Sequence, residues 1–186
     1  MLINEGDIET HLEALLLRAK SDPGLWDRLK GTPVYWMCFG ELVPRLTLGD
    51  ILANPPADIL RQRPYPVTTF PAALEETPWD ARSIQPDLQL RSRGAFVAVE
   101  IKGAAGAFVG EGGPLQYARG LCLAPPEGTG GATLGVLAVA PRAFFQRAFV
   151  TRIWEQWQIE FRRLTSKVPT FRWGIVLSED LPEQVS

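Results

Sequence analysis

The chain has 186 residues, of which 46% are hydrophobic and 22% charged, so it is long enough for a buried core and too apolar for an intrinsically disordered protein. Its formal net charge of −2 gives no whole-protein attraction to nucleic acid. No apolar run reaches membrane-spanning length, and acidic residues stand near the start, where a secretion signal needs positive charge. We therefore expect an intracellular, cytoplasmic protein without a membrane partner.

The histidine and cysteine content excludes several kinds of site. His11 is the only histidine, which excludes a multi-histidine metal site, and its place in a predicted helix favours a structural or surface role. Cys38 and Cys122 lie among apolar neighbours and have no CxxC partner. Free buried thiols are therefore expected, and neither a zinc site nor a disulfide framework is indicated.

Charge is unevenly distributed along the chain. Residues 142–172 contain seven basic and two acidic side chains, a net charge of +5, which leaves −7 for the rest. The basic side chains are Arg142, Arg147, Arg152, Arg162, Arg163, Lys167 and Arg172. We interpret this segment either as the solvated face of a helix or as a basic surface that contacts phosphates.

The first predicted elements are two helices and a strand. Apolar residues recur at helical spacing over residues 4–20. A second helix is expected from Pro23, where the missing N–H of proline costs least, to Leu29. Aromatic and β-branched residues at 34–39 are typical of a buried strand.

A proline-rich stretch follows this strand. Seven prolines lie between residues 44 and 80. Such a stretch is too short and too interrupted to bury a core of its own. We therefore expect a single domain, residues 1–186, with an irregular insertion at 44–80 in which helix is confined to 46–53 or 57–62.

The pattern becomes regular from residue 84 onwards. Alternating apolar and polar residues predict strands at 84–91 and 95–102, and the turn between them makes a β-hairpin. Glycine and alanine dominate residues 103–113, which predicts a loop. A helix is then expected from Pro114 to near Pro125.

The last part of the chain predicts a strand, a helix and a strand. The continuous apolar run at 133–140 is typical of a strand covered on both faces. Aromatic and aliphatic residues recur in four-residue steps, through Phe149, along a helix at 142–166. A final strand at 168–177 and a frayed acidic tail complete an order of elements that predicts an α/β domain around a mixed sheet.

Three charged residues on the predicted hairpin form the candidate catalytic group. Asp87 lies in the first strand, and Glu100 and Lys102 end the second, where period-two geometry puts both on one face. The turn brings Asp87 back towards Glu100. Two carboxylates suit a hard cation such as Mg²⁺ or Mn²⁺, to which the carbonyl of Ile101 could add a third oxygen. Lys102 would then orient the attacking water or stabilise the transition state, so the set suits phosphodiester hydrolysis.

The sequence Pro86-Asp87, followed 13 positions later (100 minus 87) by Glu100-Ile101-Lys102, resembles the PD-(D/E)xK nuclease superfamily, which includes many restriction endonucleases. The resemblance implies a restriction-endonuclease-like fold, a mixed sheet flanked by helices, and a metal-dependent nuclease that acts on DNA. Members commonly add an acidic residue from the first helix and a polar residue from the helix after the ExK strand. Glu9, with Glu5 as the alternative, and Gln116 match these positions and join the catalytic set by this resemblance.

The same residues permit other interpretations. A non-catalytic nucleic-acid-binding or protein-interaction module on the same fold would keep the pocket without turnover. An unrelated α/β protein would carry Glu100 and Lys102 as an exposed pair on an edge strand, of little energetic value, with the match to Asp87 a coincidence. The sequence also leaves open whether DNA or RNA is the substrate and whether the active unit is a homodimer.

Overall fold

The computed structural model describes residues 4–62, 65–66, 83–108, 113–126 and 128–183. The helices are α1 (Glu5–Ala19), α2 (Pro23–Lys30), α3 (Leu48–Ile51), α4 (Pro114–Leu123), α5 (Arg142–Phe145) and α6 (Ala148–Lys167). The strands are β1 (Pro33–Cys38), β2 (Glu41–Thr47), β3 (Asp58–Arg61), β4 (Tyr65–Pro66), β5 (Ser83–Ile84), β6 (Leu88–Ser92), β7 (Ala95–Ile101), β8 (Thr133–Ala140) and β9 (Phe171–Leu177). Among the described helices, none is long and apolar enough to cross a membrane.

Seven of the strands form one mixed sheet in the spatial order β2-β1-β9-β8-β7-β6-β3. β7, β8 and β9 are parallel, and the other neighbouring pairs are antiparallel. Helices α1, α2 and α3 pack on one face of the sheet and α4, α5 and α6 on the other, each group over its own hydrophobic cluster. The predicted fold class, an α/β domain with a mixed sheet flanked by helices, is therefore confirmed.

The first two helices begin where expected because each has a side-chain cap. The Asn4 side chain accepts a hydrogen bond from the Asp7 N–H at 2.8 Å, and the Asp22 side chain accepts one from the Leu25 N–H at 2.9 Å. These bonds satisfy main-chain donors that the first helical turn leaves unpaired. The expected apolar stripe of α1 is buried and consists of Ile8, Leu12, Leu15, Leu16 and Ala19.

The proline-rich stretch is more regular than predicted. The helix expected at 57–62 is wrong, because Asp58–Arg61 forms an edge strand that pairs with β6. The other expected helix is present in shortened form as α3. Pro44 lies in β2, the opposite edge strand, where a missing N–H is tolerated. Residues 63–64 and 67–80 of the expected insertion lie outside the described residues.

The elements predicted in the middle of the chain are confirmed as β6, β7, α4 and β8. The first strand of the hairpin is shorter than expected, because Ser83–Ile84 pairs with β4 and β6 begins only at Leu88. Of the loop expected at 103–113, residues 109–112 lie outside the described part of the chain.

The long helix expected at 142–166 is interrupted. α5 ends at Phe145 and α6 begins at Ala148, so the buried face of α6 starts in a new register. The four-residue steps therefore fail at Phe149, which is 58% exposed, whereas Trp157 and Phe161 in the same series are buried. The buried residues of α6 are Val150, Trp154, Trp157, Gln158, Phe161 and Leu164.

The C-terminal tail is anchored over its described part, so the prediction that it frays is wrong there. Ser178–Asp180 forms a 3-10 helix, and the Tyr35 hydroxyl donates to Asp180 Oδ2 at 2.7 Å. Leu181 is buried in the cluster beneath α1. His11 Nε2 lies 3.1 Å from the Pro182 carbonyl oxygen, which is the structural role expected for the only histidine.

Candidate active site

The hairpin of β6 and β7 brings the three predicted catalytic residues together. Glu100 lies near the carboxyl end of β7, Asp87 immediately precedes β6, and Lys102 directly follows β7. The ladder pairs Leu88 with Val99, which puts Asp87 opposite Glu100. The carboxyl ends of the parallel strands β7, β8 and β9 meet at this edge of the sheet. Ligands in open α/β sheets commonly bind at such an edge.

Asp87 is fixed in place by the main chain. Its Oδ2 accepts a hydrogen bond from the Ile101 N–H at 2.7 Å. Its carbonyl oxygen accepts one from the Gln62 N–H at 2.9 Å. Among the described residues, Oδ1 of Asp87 accepts no hydrogen bond. Within the part of the chain that the structure describes, one carboxylate oxygen of this aspartate is therefore left for a ligand.

Glu100 and Lys102 form a buried ion pair. Lys102 Nζ lies 2.7 Å from Glu100 Oε1 and donates to the Ile101 carbonyl oxygen at 2.9 Å. The two side chains are only 11% and 12% exposed, and β7 lies inside the sheet between β6 and β8. The alternative interpretation of an exposed pair on an edge strand is therefore wrong.

Tyr117 is a contact of this group that the motif analysis did not assign. Its hydroxyl donates to Glu100 Oε2 at 2.7 Å, and the hydroxyl oxygen also lies 3.1 Å from the Gln85 carbonyl oxygen. Tyr117 belongs to the buried stripe of α4 together with Pro114, Ala118 and Leu121. That stripe is visible in the sequence at helical spacing, and a buried tyrosine needs a partner for its hydroxyl. The helical spacing of this buried stripe is therefore the sequence signal that could have identified Tyr117 as a residue of the site.

Gln116 lies beside Tyr117 on α4 and is half-buried. Within the described ranges, the hydrogen bond from α4 to Glu100 comes from Tyr117. The catalytic role assigned to Gln116 through the family resemblance stays a prediction.

Three of the four acidic residues of α1 divide between two cations. Glu9, the first choice by resemblance, has Oε1 3.4 Å from Nε of Arg61 on β3, and Arg61 also pairs with Glu13. Glu5, the alternative, is 46% exposed and has Oε1 3.8 Å from Lys102 Nζ. Of the two candidates, Glu5 is therefore the one that borders Lys102, and Glu9 would have to leave Arg61 to reach it.

Burial and neighbouring charge shift the pKa values of the whole group. Burial raises the pKa of Glu100 above its ordinary value, and the negative charge of Asp87 raises it further, while Lys102 and the Tyr117 hydroxyl oppose this rise without cancelling it. Burial alone would lower the pKa of Lys102, but the carboxylates of Glu100, Asp87 and Glu5 outweigh it and hold that pKa above its usual value. Lys102 is therefore protonated near neutral pH. Burial and the charge of Glu100 also raise the pKa of Tyr117, so its hydroxyl keeps the proton that it donates.

The loop after β7 approaches the catalytic group through two glycines. A Cβ added at Gly106 would lie 3.3 Å from Lys102 Cδ, and one added at Gly113 would lie 3.6 Å from Glu100 Oε1. Gly113 has φ of +70°, a conformation that other residues rarely adopt. Arg147, between α5 and α6, donates to the Gly106 carbonyl oxygen and joins this loop to the basic segment.

The donor atoms fit a hard divalent cation in part. Asp87, Glu100 and the Ile101 carbonyl offer three oxygens, the donor type that Mg²⁺ prefers, and Mg²⁺ commonly keeps several water ligands. Across the described ranges, no cluster of three or more histidine, cysteine, aspartate or glutamate side chains is placed to hold a metal ion. Lys102 covers Glu100 Oε1 and the Ile101 carbonyl oxygen. A cation therefore fits only when the Lys102 ammonium turns aside, because both positive charges need the same oxygens.

The basic segment at 142–172 is divided between the two ends of the sheet. α6 connects the carboxyl end of β8 to the start of the parallel strand β9, so it runs antiparallel to both. Arg142 and Arg147 are exposed at the carboxyl edge, but only Arg147 contacts the loop near Lys102, since the Arg142 side chain interacts with Tyr35; Lys167 and Arg172 lie at the opposite end. Only the first part of the segment is therefore placed to contact a substrate of this site.

Comparison with family models, curated proteins and solved structures found no match to this chain. The resemblance to the PD-(D/E)xK superfamily therefore rests on the motif residues and on their arrangement at the end of the hairpin.

Proposed function

We propose that the chain is a metal-dependent nuclease that hydrolyses phosphodiester bonds in DNA. The observation that carries the proposal is the meeting of Asp87 and Glu100, from opposite strands of a hairpin, with the protonated Lys102 at 2.7 Å from Glu100. Two carboxylates held together disfavour each other's ionisation, which is why the charge of Asp87 raises the pKa of Glu100. Arrangements that shift a pKa in this way are typical of functional sites.

Each residue has its own role in this proposal. Asp87 Oδ1, Glu100 Oε1 and the Ile101 carbonyl oxygen would hold Mg²⁺ or Mn²⁺. When bound, the cation would lower the pKa of the attacking water and neutralise charge on the scissile phosphate. Lys102, once turned from Glu100, would donate its ammonium hydrogens to the phosphate oxygens as negative charge develops there. Tyr117 orients Glu100 by its hydrogen bond to Oε2, which leaves Oε1 for the other partners.

One basic side chain at the same edge favours DNA as the substrate. Arg147 is exposed and is attached to the loop that lies against Lys102, whereas the Arg142 side chain interacts with Tyr35 on β1. An arginine in the position of Arg147 would bind a phosphate next to the scissile bond and help to fix the strand in register. Glu9 and Gln116, predicted through the resemblance, would complete the pocket only after side-chain rearrangement.

A non-catalytic nucleic-acid-binding or protein-interaction module is the second candidate, and one observation favours it. Lys102 already neutralises Glu100 and covers two of the three donor oxygens. Because Glu100 and Lys102 neutralise each other, a protein without catalytic activity can keep this ion pair for the stability of its fold. Coincidence is less favoured, because it would leave Asp87 and Glu100 far apart rather than opposite each other.

A cleavage assay with controlled divalent metal separates the two candidates. Purified protein is incubated with single-stranded, double-stranded and branched DNA, and with RNA, in Mg²⁺, in Mn²⁺ and in EDTA. The nuclease proposal predicts cleavage that needs the metal and is abolished by Lys102→Ala, with circular dichroism showing that this variant folds.

The matched control is Lys30→Ala, which removes an exposed lysine whose partner is Asp27 on the surface of α2. This control should cut like the wild type. Metal-independent cleavage, or wild-type cleavage by Lys102→Ala, would contradict the proposal. Nucleic-acid binding without cleavage in any metal would favour the non-catalytic module.

A further inference from the structure

A second concave site lies at the other end of the β6–β7 hairpin. It is a cavity of about 440 Å³, lined by the hairpin turn at 91–96 and by the glycine-rich loop before β8, residues 126 and 128–132. Glu100 lies five positions along β7 from Ala95 in this cavity (100 minus 95), a distance of about 17 Å along a strand. One small ligand therefore cannot occupy both sites.

Arg91 lies in this cavity as an incompletely paired cation. Its guanidinium lies 5.0 Å from the centre of the Phe96 ring, and its Nη2 donates to Gln89 Oε1 at 3.0 Å. Its Nε is buried and has no hydrogen-bond partner in the described structure. The Phe96 ring holds the guanidinium at the wall of the cavity. The buried Nε gains an acceptor only when the side chain shifts towards a ligand in the cavity.

The charge around Arg91 is one-sided. Arg93 in the hairpin turn also lines the cavity and is exposed, and none of the described lining residues is acidic. The acidic residue nearest in the ladder is Asp58, which pairs with Arg91 across β3 and β6. Asp58 is exposed, and no ion pair joins it to Arg91 in the part of the chain described. Among the described lining residues the cavity thus presents two arginines and no carboxylate, and Glu127, between Pro126 and Gly128 in the sequence, lies outside the described part of the chain.

The opposite wall of the cavity exposes main chain. A Cβ added at Gly94, Gly128, Gly130 or Gly131 would meet no atom within 4 Å. Gly128 and Gly131 have φ of +80° and +78°, so the loop adopts a path that glycine permits. Without side chains in the way, main-chain N–H groups of such loops can approach an anion directly.

We propose that this cavity binds the phosphate group of a nucleotide-sized ligand. The planar fork of arginine matches the oxygens of a phosphate, which accept parallel hydrogen bonds. A cavity of this volume falls in the range of small-molecule sites, about 300–1,000 Å³, and is larger than a phosphate ion needs. The phosphate can come from a free nucleotide or from the end of a nucleic-acid strand. The proposal does not depend on nuclease activity, because it concerns a separate set of residues.

Isothermal titration calorimetry of the full chain tests this site directly. The buffer contains EDTA, so that no metal draws phosphate to the catalytic end, and the three probes are inorganic phosphate, dAMP and a short single-stranded DNA with a 5′ phosphate. We expect dAMP to bind more tightly than inorganic phosphate. Preference for dAMP identifies a free nucleotide as the source, and binding of the DNA alone identifies a strand end.

Variants of the two arginines decide where the probe binds. Arg93→Glu, in an exposed turn, should weaken binding about tenfold or more, because it replaces a charged donor with a repelling carboxylate. Arg91→Lys keeps the positive charge but loses the planar guanidinium that can donate two parallel hydrogen bonds, so it should also weaken binding. Arg45→Glu is the matched control, since Arg45 is exposed on the far edge strand β2.

The outcomes are separable. Arg45→Glu and Lys102→Ala should both bind like the wild type. The proposal is overturned if none of the three probes binds the wild type, if Arg93→Glu binds as well as Arg45→Glu, or if Lys102→Ala abolishes binding and so moves the phosphate to the catalytic end.

Discussion

The two ends of the β6–β7 hairpin have opposite electrostatic environments. At the carboxyl end of β7, Glu100 and Lys102 are buried and neutralise each other beside Asp87. At the turn, Arg91 and Arg93 line a cavity whose described walls hold no acidic side chain. One end therefore concentrates carboxylates that suit a cation, and the other concentrates cations that suit an anion.

The difference follows from where each group stands on one strand. Asp87 immediately precedes β6 and alternates with Gln89 and Arg91 on one face of this segment, while Leu88 and Leu90 are buried against the other face. Gln89 is fully buried and accepts a hydrogen bond from Arg91. The register that buries Leu88 and Leu90 therefore also puts Asp87 and Arg91 on the same face, at opposite ends of this segment.

Removal of the Glu100 charge should have the largest effect. Glu100→Gln keeps the shape of the side chain but weakens the hold on a cation, and several kcal/mol of lost electrostatic stabilisation corresponds to a fall in cleavage rate of about a hundredfold to a thousandfold. Single-turnover cleavage in Mg²⁺ measures it. Glu155→Gln, which alters a carboxylate bonded to the Gly40 N–H, is the control and should retain its rate. Equal rates in both variants would remove Glu100 from the site.

Backbone freedom should matter at the catalytic end and not at the turn. Gly113→Ala should lower the free energy of unfolding by about 1–3 kcal/mol, because its φ is +70° and its Cβ would approach Glu100. Gly94→Ala, at a position with open space and no positive φ, should change that free energy by less than about 0.5 kcal/mol. Urea denaturation compares the two, and similar losses in both would contradict the geometry of the loop.

Loss of the Tyr117 hydroxyl should shift the pH dependence of activity. The pKa of Glu100 is raised by burial and by Asp87, and the Tyr117 hydrogen bond partly opposes that rise. Tyr117→Phe therefore raises the pKa of Glu100 further. Because protonation removes a carboxylate oxygen from the cation, cleavage falls as pH decreases through this pKa. The acidic limb of the profile should move to higher pH in the variant.

The pH profile is measured from about pH 5 to about pH 9. Tyr35→Phe is the control, since it removes a hydrogen bond to Asp180 away from the site. The loss of rate in Tyr117→Phe should be several-fold at the acidic end and small at the basic end. A uniform loss at every pH would show that Tyr117 serves only the fold.

The smallest effect is expected at the turn. Asp58 is opposite Arg91 in the β3–β6 ladder, but the two side chains form no ion pair in the described structure. Asp58→Asn removes a negative charge near the proposed phosphate site, so it should tighten dAMP binding by about twofold to threefold. Asp27→Asn, which alters an exposed aspartate on α2, should leave that affinity unchanged. A weaker affinity in Asp58→Asn would mean that Asp58 supports the site rather than opposing it.

Local periodicity predicts much of this architecture. Period two is sufficient to put Asp87, Glu100 and Lys102 together, because a hairpin with a short turn has only one register that buries Val97, Val99 and Ile101. Helical spacing likewise predicts α1, and Pro23 and Pro114 indicate where α2 and α4 begin. These features depend on residues that are neighbours along the chain.

The errors come from contacts that are distant in sequence. Because the local pattern favours a helix at 57–62, it does not predict β3. It therefore also misses the ion pair between Arg61 on β3 and Glu9, which no local pattern indicates. The break between α5 and α6 leaves Phe149 exposed, although Trp157 and Phe161 of the predicted series are buried. Tyr117 is different, since the stripe of α4 contains the signal, and motif matching passes over it in favour of Gln116.

Titration of Mn²⁺ into the metal-free protein tests the central claim most directly. The account predicts that the wild type binds an ion at the hairpin end and releases protons as it does so, and that Glu100→Gln loses this binding while keeping its fold. Wild-type protein that binds no Mn²⁺, or a Glu100→Gln variant that binds it undiminished, would contradict the account.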